Sequence, residues 1–299
     1  MNFNKYIIKE NIPQFQKFMI DYKSEKRQDL MDDVPSYESL TLSKSGRRRS
    51  ILSSSIKWNK VKGVESYGVT GMYLAPANHI DGLNSCKNSG LCKKGCIAYT
   101  GHLGMFHANT IRLRTLALFH YTERYLLDML RDLYIQAFKA SIDNKELYCR
   151  LNGTSDLPFY KVLNMDLIVK DFNGLAGFYD YTKFPHVKNP WANYHLTFSY
   201  SEKSTSIGSY ISMMNNFDRV AIVVTEEDKN ILLDLYSHYD QPCIDGDLHD
   251  IRPLDKGRFV LLQAKNVTAA GKSLDTEFVQ SFDHVVDLVA LSMDKGVTV

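Results

Sequence analysis

The chain has 299 residues, of which 44% are hydrophobic and 23% are charged. These proportions are close to those of soluble globular proteins, so they exclude a disordered chain, a collagen-like repeat and a disulfide-stabilised miniprotein. The formal net charge of +2 is too small to indicate a nucleic-acid partner by itself. Any such partner has to be argued from a local segment.

Residues 1–66 are polar and mixed in charge, and they predict an N-terminal extension with a short amphipathic helix at 12–22. Within it, residues 41–64 carry seven basic residues and no acidic one. Such a segment is most often a solvated arm, and the alternative is an arm that contacts the phosphates of a nucleic acid or nucleotide. The residues for that alternative are Arg47, Arg48, Arg49, Lys57 and Lys60.

From residue 67 onward, short segments rich in β-branched and aromatic residues predict strands. There are seven, at 68–76, 146–153, 176–182, 193–199, 219–225, 241–247 and 258–264. Helical patterns separate several of them, the longest at 108–140. This alternation predicts an α/β fold, an irregular or partial (β/α) TIM-like barrel over residues 67–299.

One connection is too short for this scheme. About ten residues, among them Pro185 and Pro190, separate the third predicted strand from the fourth, which is too few for a crossover helix. Either the barrel is irregular at this point or these two strands are antiparallel.

Polar clusters follow most of the predicted strands, at 152–156, 180–183, 199–202, 225–226 and 245–247. Because functional sites of parallel α/β folds lie at the carboxyl ends of the strands, we expect these clusters to converge. The candidate catalytic residues are Asp156, Asp180, Lys183 and Asp247. Each cluster alone is also compatible with the cap of a following helix.

Three of the five cysteines, Cys86, Cys92 and Cys96, follow the first predicted strand with C-x5-C-x3-C spacing. Converging thiolates on a glycine-punctuated loop are typical of a soft metal or an iron–sulfur site, and we expect neighbouring lysines to lower the thiol pKa values. A zinc site would need a fourth ligand, His102 or His107. Cys149 and Cys243 lie in apolar strands and predict core residues.

The order of these elements resembles the radical S-adenosylmethionine superfamily: a first strand, a three-cysteine loop, then a second strand ending in Gly-Thr-Ser-Asp-Leu-Pro at 153–158. The resemblance implies that Cys86, Cys92 and Cys96 bind a [4Fe–4S] cluster, although the superfamily's usual spacing is C-x3-C-x2-C. It also implies that Gly153, Thr154, Ser155 and Asp156 bind the amine of S-adenosylmethionine. Ser199, with Asp180, Lys183 and Asp247, would then position cofactor and substrate.

The blocks RLNGTSD, FYDYTK, NYHLTFS and IDGD, between residues 150 and 247, are similar to those of a group of bacteriophage proteins. This similarity implies a phage origin and the host cytoplasm, and no membrane partner is expected, since no apolar run reaches the roughly 20 residues that span a bilayer.

Three functions remain open. The first is a radical enzyme acting on a nucleotide or nucleic acid. The second is Mg²⁺- or Mn²⁺-dependent phosphoryl transfer by the Asp-rich strand ends, with the cysteines holding zinc. The third is a zinc-stabilised nucleic-acid-binding protein in which Tyr179, Tyr181, Tyr194 and Tyr200 stack on bases.

Overall fold

A computed structural model describes residues 2–32, 34–43, 45–53, 63–93, 96, 108–239, 242–264 and 278–294. All seven predicted strands are present in it, with differences of a few residues at their ends. They are β1 (Tyr67–Gly71), β2 (Glu146–Arg150), β3 (Leu175–Thr182), β4 (Tyr194–Ser199), β5 (Arg219–Val224), β6 (Cys243–Asp245) and β7 (Phe259–Gln263). The predicted α/β class is therefore confirmed.

The strands form one sheet in the order β1-β2-β3-β4-β5-β7-β6, and every neighbouring pair is parallel. The sheet curls into half a barrel, which is consistent with the predicted partial (β/α) barrel. It departs from sequential barrel order at one end, where β7 lies between β5 and β6. Parallel order brings the carboxyl ends of all these strands to the same edge.

The short connection between β3 and β4 is irregular rather than antiparallel. Phe178 pairs with Tyr194 and Thr182 with Phe198 in parallel register, so the antiparallel alternative is wrong. Residues 183–193 cross over without a helix. Asn189 stabilises this connection because its side-chain amide donates to the backbone carbonyls of Trp191 and Tyr194.

The described helices are α1 (Ile12–Met19), α2 (Asp29–Asp32), α3 (Tyr37–Thr41), α4 (Ala108–His120), α5 (Thr122–Ile142), α6 (Met165–Asp171), α7 (Ile207–Asn216), α8 (Glu226–Leu235) and α9 (Phe282–Asp294). The predicted helix at 108–140 is two helices, which meet at Tyr121, a residue with non-helical backbone angles. Helices α5 and α6 pack on the β1–β3 part of the sheet, and α8 packs on β6 and β7.

The N-terminal residues contribute to the main core. Tyr6, Phe15 and Met19 are buried in one cluster with side chains of α5 and β2, such as Leu133 and Cys149. Opposite faces of the strands are also filled, since Val69, Tyr148 and Tyr179 form a separate buried cluster. Burial on both faces explains why these strands read as nearly continuous apolar runs. The division at residue 66 stays a prediction.

Candidate functional site

A cavity of about 240 Å³ opens at the carboxyl edge of the sheet. Its lining includes the three loop cysteines and residues that end or follow β2, β3, β4 and β6. Of the residues predicted from sequence, it brings together Cys86, Cys92, Cys96, Gly153, Thr154, Ser155, Asp156, Lys183, Ser199 and Asp247. The expected convergence of the strand ends is thus present in the fold.

The turn after β2 lies directly against the segment after β1. The Gly153 amide donates to the Met72 carbonyl at 3.0 Å, and a Cβ at Gly153 would lie 2.7 Å from that oxygen. Thr154 reinforces the contact, since its Oγ1 donates to the Leu74 carbonyl at 2.5 Å and accepts from the Leu74 amide at 3.2 Å. Only glycine allows so close a backbone approach, which holds the turn rigidly beside the cysteine loop.

The same turn contacts the first cysteine. The Cys86 thiol donates to the Thr154 carbonyl at 3.4 Å, and the Asp156 amide donates to the Ser85 carbonyl at 2.8 Å. Burial raises the pKa of Cys86 to about 12. The expected lowering of the thiol pKa is therefore wrong for Cys86, because the effect of burial outweighs the hydrogen bonds that lower its pKa. The ammonium of the neighbouring Lys87 lies over the Phe18 ring, 4.6 Å from its centroid.

Two further contacts position the cysteine loop against β3 and β4. The Asn88 side-chain amide donates to the Lys183 carbonyl at 3.2 Å. The Leu91 amide donates to Glu202 Oε1 at 2.9 Å, and that oxygen occupies the place where Gly90, at a φ of +51°, would carry a Cβ. These contacts, more than the cysteines themselves, place the loop over the strand ends.

Lys183 and Asp156 are hydrogen-bonded neighbours in the lining of the cavity. Lys183 Nζ donates to Ser199 Oγ at 2.9 Å and lies 5.5 Å from the ring centroid of Phe278. Its backbone amide donates to Asp156 Oδ2 at 2.9 Å. Burial raises the pKa of Asp156 to about 6, against the opposing effect of this backbone hydrogen bond. Asp156 therefore keeps its proton to a higher pH than an exposed aspartate does.

Asp180 is placed differently from the other predicted site residues. It lies inside β3 and is fully buried, and it does not line the cavity. Its carboxylate accepts from the Asn152 amide at 2.6 Å and from the Tyr194 hydroxyl at 2.9 Å, while burial raises its pKa to about 7. Asp180 therefore supports the turn after β2 through its hydrogen bond with the Asn152 amide, and it does not reach a ligand in the cavity.

The aspartates at the end of β6 and just after it form ion pairs with a buried lysine. Lys229 Nζ of α8 lies 3.1 Å from both Asp245 Oδ1 and Asp247 Oδ2. Asp247 Oδ2 also accepts from the Gln263 amide at 2.8 Å. The buried ammonium group of Lys229 thus compensates the negative charge of both carboxylates.

Sequence reasoning missed Arg150, which lines the cavity together with Asp250, a residue considered only as a ligand for Mg²⁺ or Mn²⁺. Both are buried, and Arg150 Nη1 lies 2.7 Å from Asp250 Oδ2. The guanidinium carbon lies 4.6 Å from the ring centroid of Tyr181, and the Tyr179 hydroxyl donates to Asp250 at 3.1 Å. The signal in the sequence was an arginine within an apolar strand, a residue that is almost never buried unless paired.

The basic segment lies away from the cavity where it is described. Arg48 forms an ion pair with Asp132 of α5, Arg47 is exposed, and Arg49 donates weakly to the Leu40 carbonyl at 3.5 Å. Ile51 and Leu52 are buried in the main core, which does not fit a wholly solvated arm. Lys57, Lys60, His102 and His107 lie outside the described residues.

The burial of individual side chains tests several other predicted roles. Cys149 and Cys243 are buried, as predicted. Tyr179, Tyr194 and Tyr200 are at most 2% exposed, so the stacking surface considered for them is wrong, since their rings pack within the core.

Among the described residues, no three Cys, His, Asp or Glu side chains are grouped so that they could hold a metal ion. No described helix has the length and apolar character that a membrane crossing requires.

Comparison with known proteins adds a family. The family model described as Gene product 88 matches residues 40–281, which is most of the chain. The chain belongs to the Gene product 88 family. This is a phage-type family, which agrees with the similarity to bacteriophage proteins noted from the sequence blocks. No curated protein and no solved structure matches the chain. The matched region includes the cysteine loop and all seven strands that the structure describes.

Proposed function

We propose that the protein is a radical S-adenosylmethionine-type iron–sulfur enzyme that modifies a nucleotide or nucleic acid. The observation that carries the proposal is the shared cavity, in which all three loop cysteines face residues from four strand ends of a parallel half-barrel. The order of strand, cysteine loop, strand and glycine turn adds to it, as does the direct hydrogen bond between Cys86 and Thr154.

The donor set fits an iron–sulfur cluster. Cys86, Cys92 and Cys96 supply soft sulfur ligands and carry no disulfide, and each thiolate of a [4Fe–4S] cluster binds a different iron, so the three need not meet at one atom. The buried Cys86 thiol would lose its proton on binding, as metal-bound thiols do. When bound, the cluster supplies one electron to S-adenosylmethionine, which starts hydrogen abstraction from a substrate.

The chain's own residues have distinct roles in this proposal. The rigid turn Gly153–Asp156 receives the amine of S-adenosylmethionine, with the Asp156 carboxylate as the acceptor that an ammonium group requires. Ser199 and Lys183, which are hydrogen-bonded to each other, position the rest of the cofactor. Asp247 and Arg150 face the remaining space, where the substrate lies. Arg47, Arg48 and Arg49 are the described residues proposed to contact phosphate; Arg47 is exposed, and Arg48 also pairs with Asp132.

The experiment is anaerobic purification followed by assays of iron, sulfide and zinc and by a visible absorption spectrum. We expect about four irons per chain, and reductive cleavage of S-adenosylmethionine after addition of dithionite. The triple variant Cys86→Ala, Cys92→Ala, Cys96→Ala should lose both, while the control Cys243→Ala, in the core, keeps them. One zinc per chain without iron would overturn the proposal and favour a zinc-stabilised site.

A further inference from the structure

A second cavity, of about 480 Å³, adjoins the first. The two share Asn152, Asp156, Tyr181 and Thr182, and none of the cysteines lines the second one. Its volume lies within the range of roughly 300–1,000 Å³ that is typical of small-molecule sites. The roles proposed above belong to the first cavity, and Asp156 is the one described residue with such a role that also lines the second.

The second cavity exists because the β3–β4 connection has no helix. A crossover helix would normally cover this part of the sheet, and here residues 184–188, the segment 157–161 and Phe18 of α1 enclose a space instead. Hydrogen bonds keep the walls in place: the Asn216 amide donates to the Pro185 carbonyl at 2.9 Å, and Trp191 Nε1 donates to the Tyr160 carbonyl at 2.8 Å. The cavity is therefore preformed.

Its walls are aromatic. Phe18 and Phe184 lie with ring centroids 5.8 Å apart, and Tyr160 and Tyr194 with centroids 6.4 Å apart. Tyr160 and Phe184 are only partly buried, so their rings are available to a ligand, whereas the Lys87 ammonium already lies over the Phe18 ring. Flat rings of this kind favour a planar, aromatic ligand group.

The opening of the cavity is basic. Lys161, His186 and Lys188 line it and are exposed. The only carboxylate among the described lining residues is Asp156, and it already accepts a hydrogen bond from the Lys183 amide. Exposed ammonium groups beside an aromatic wall suit a ligand that joins a planar ring to an anionic group.

We propose that this second cavity binds a nucleoside monophosphate, with the base against Phe184 and Tyr160 and the phosphate at Lys161 and Lys188. The site does not depend on the proposed function, because no cysteine and no iron takes part in it. Binding can therefore be measured on the protein without metal, and its outcome is independent of the iron assay.

The test is isothermal titration of the metal-free protein with AMP, GMP, CMP and UMP, and with adenosine and inorganic phosphate as partial probes. We expect saturable binding of at least one monophosphate. Phe184→Ala should weaken it about tenfold through lost stacking. The double variant Lys161→Ala, Lys188→Ala should weaken monophosphate binding about tenfold and leave adenosine binding unchanged.

The matched controls are Phe138→Ala and Lys139→Ala, exposed residues of α5, which should bind as the unmodified protein does. Phe278→Ala, which alters the first cavity alone, should also leave binding unchanged. The proposal is overturned if no monophosphate binds, if a control loses as much affinity as the cavity variants, or if Phe278→Ala abolishes binding.

Discussion

The two sides of the first cavity differ in how their polar groups are held. On the aspartate side, after β6, buried cations compensate the carboxylates: Lys229 lies between Asp245 and Asp247, and Arg150 pairs with Asp250. On the cysteine side, the described contacts are hydrogen bonds to backbone carbonyls and amides, such as the one from Cys86 to Thr154. We infer that the ion pairs on the aspartate side mainly stabilise the fold. The cysteine side instead carries the proposed reaction.

The comparison also bears on the segment that suggested the Mg²⁺ or Mn²⁺ alternative. The segment IDGDLHD, residues 244–250, has the carboxylates that a Mg²⁺ site requires. In the structure each of its three aspartates contacts a lysine or arginine: Asp245 and Asp247 contact Lys229 of the preceding helix, and Asp250 contacts Arg150, a hundred residues away. Buried ion pairs and metal sites use the same residue types, so only the partner distinguishes them.

The largest effect should follow from breaking the pair on the aspartate side. Asp250→Ala leaves the Arg150 guanidinium buried without its carboxylate, which we expect to lower the free energy of unfolding by about 3–5 kcal/mol. Urea denaturation measures it. The exposed Asp234→Ala is the matched control and should change stability by less than about 0.5 kcal/mol. A similar small change at Asp250 would contradict the assigned structural role.

Lys229→Met should have a smaller effect. It leaves Asp245 and Asp247 without their ammonium partner, but both carboxylates are about a quarter exposed and can recruit water. We expect a loss of about 2 kcal/mol, the usual range for a hydrogen bond to a charged group. Thermal denaturation of Lys229→Met beside the exposed Lys170→Met tests this. Equal melting temperatures of the two variants would refute it.

The variant Asp180→Asn tests whether Asp180 supports the turn after β2. The test uses the pH dependence of stability. Burial raises the folded-state pKa of Asp180 from 3.8 to about 7, so the native state binds more protons than the unfolded state between these values. The stability contributed by this group is present below pH 4 and is lost as the pH rises towards about 7.

The asparagine variant has no such titration. Its disadvantage relative to the unmodified protein, about 1–2 kcal/mol at low pH from mismatched hydrogen bonds, should therefore shrink as the pH rises. Urea denaturation at several pH values between 4 and 7 follows the difference. A difference that stays constant, or grows with pH, would show that the Asp180 carboxyl does not titrate in this window.

The smallest effect on stability should come from the cysteine side. Cys92 is partly exposed in a short 3₁₀ turn, Gly90–Lys93, and Cys92→Ala should change the free energy of unfolding by about 0.5 kcal/mol or less. Under the proposed function it nevertheless lowers the iron content strongly. A loss of stability as large as that of Asp250→Ala would instead assign the cysteines to the fold.

Much of the architecture could be predicted because it depends on local patterns. Continuous apolar runs such as Val220–Val224 indicate strands buried on both faces, and strands that alternate with helices must be parallel if their connections cross over. The convergence of Asp156, Lys183 and Asp247 follows from that arrangement alone.

Tertiary structure decided which polar residues face the cavity and which do not. The predicted cluster at 180–183 begins inside β3, which extends to Thr182, so Asp180 lies within the buried strand while Lys183 follows it into the cavity. The sequence places the end of this strand at 182, as the structure does, so the strand end is not the reason. Successive side chains of a strand point to opposite faces, and only the packing of the whole fold decides which of those faces is covered.

By itself the sequence determined the strands, their class of fold and the separation of three loop cysteines from two core cysteines, because burial periodicity and local spacing carry that information. Only the tertiary structure decided the pairing of Arg150 with Asp250, which are a hundred residues apart, and the opening of a second cavity beside a helix-free crossover. Such long-range pairs and cavities depend on which distant segments the fold brings together. Local sequence patterns carry no information about those contacts.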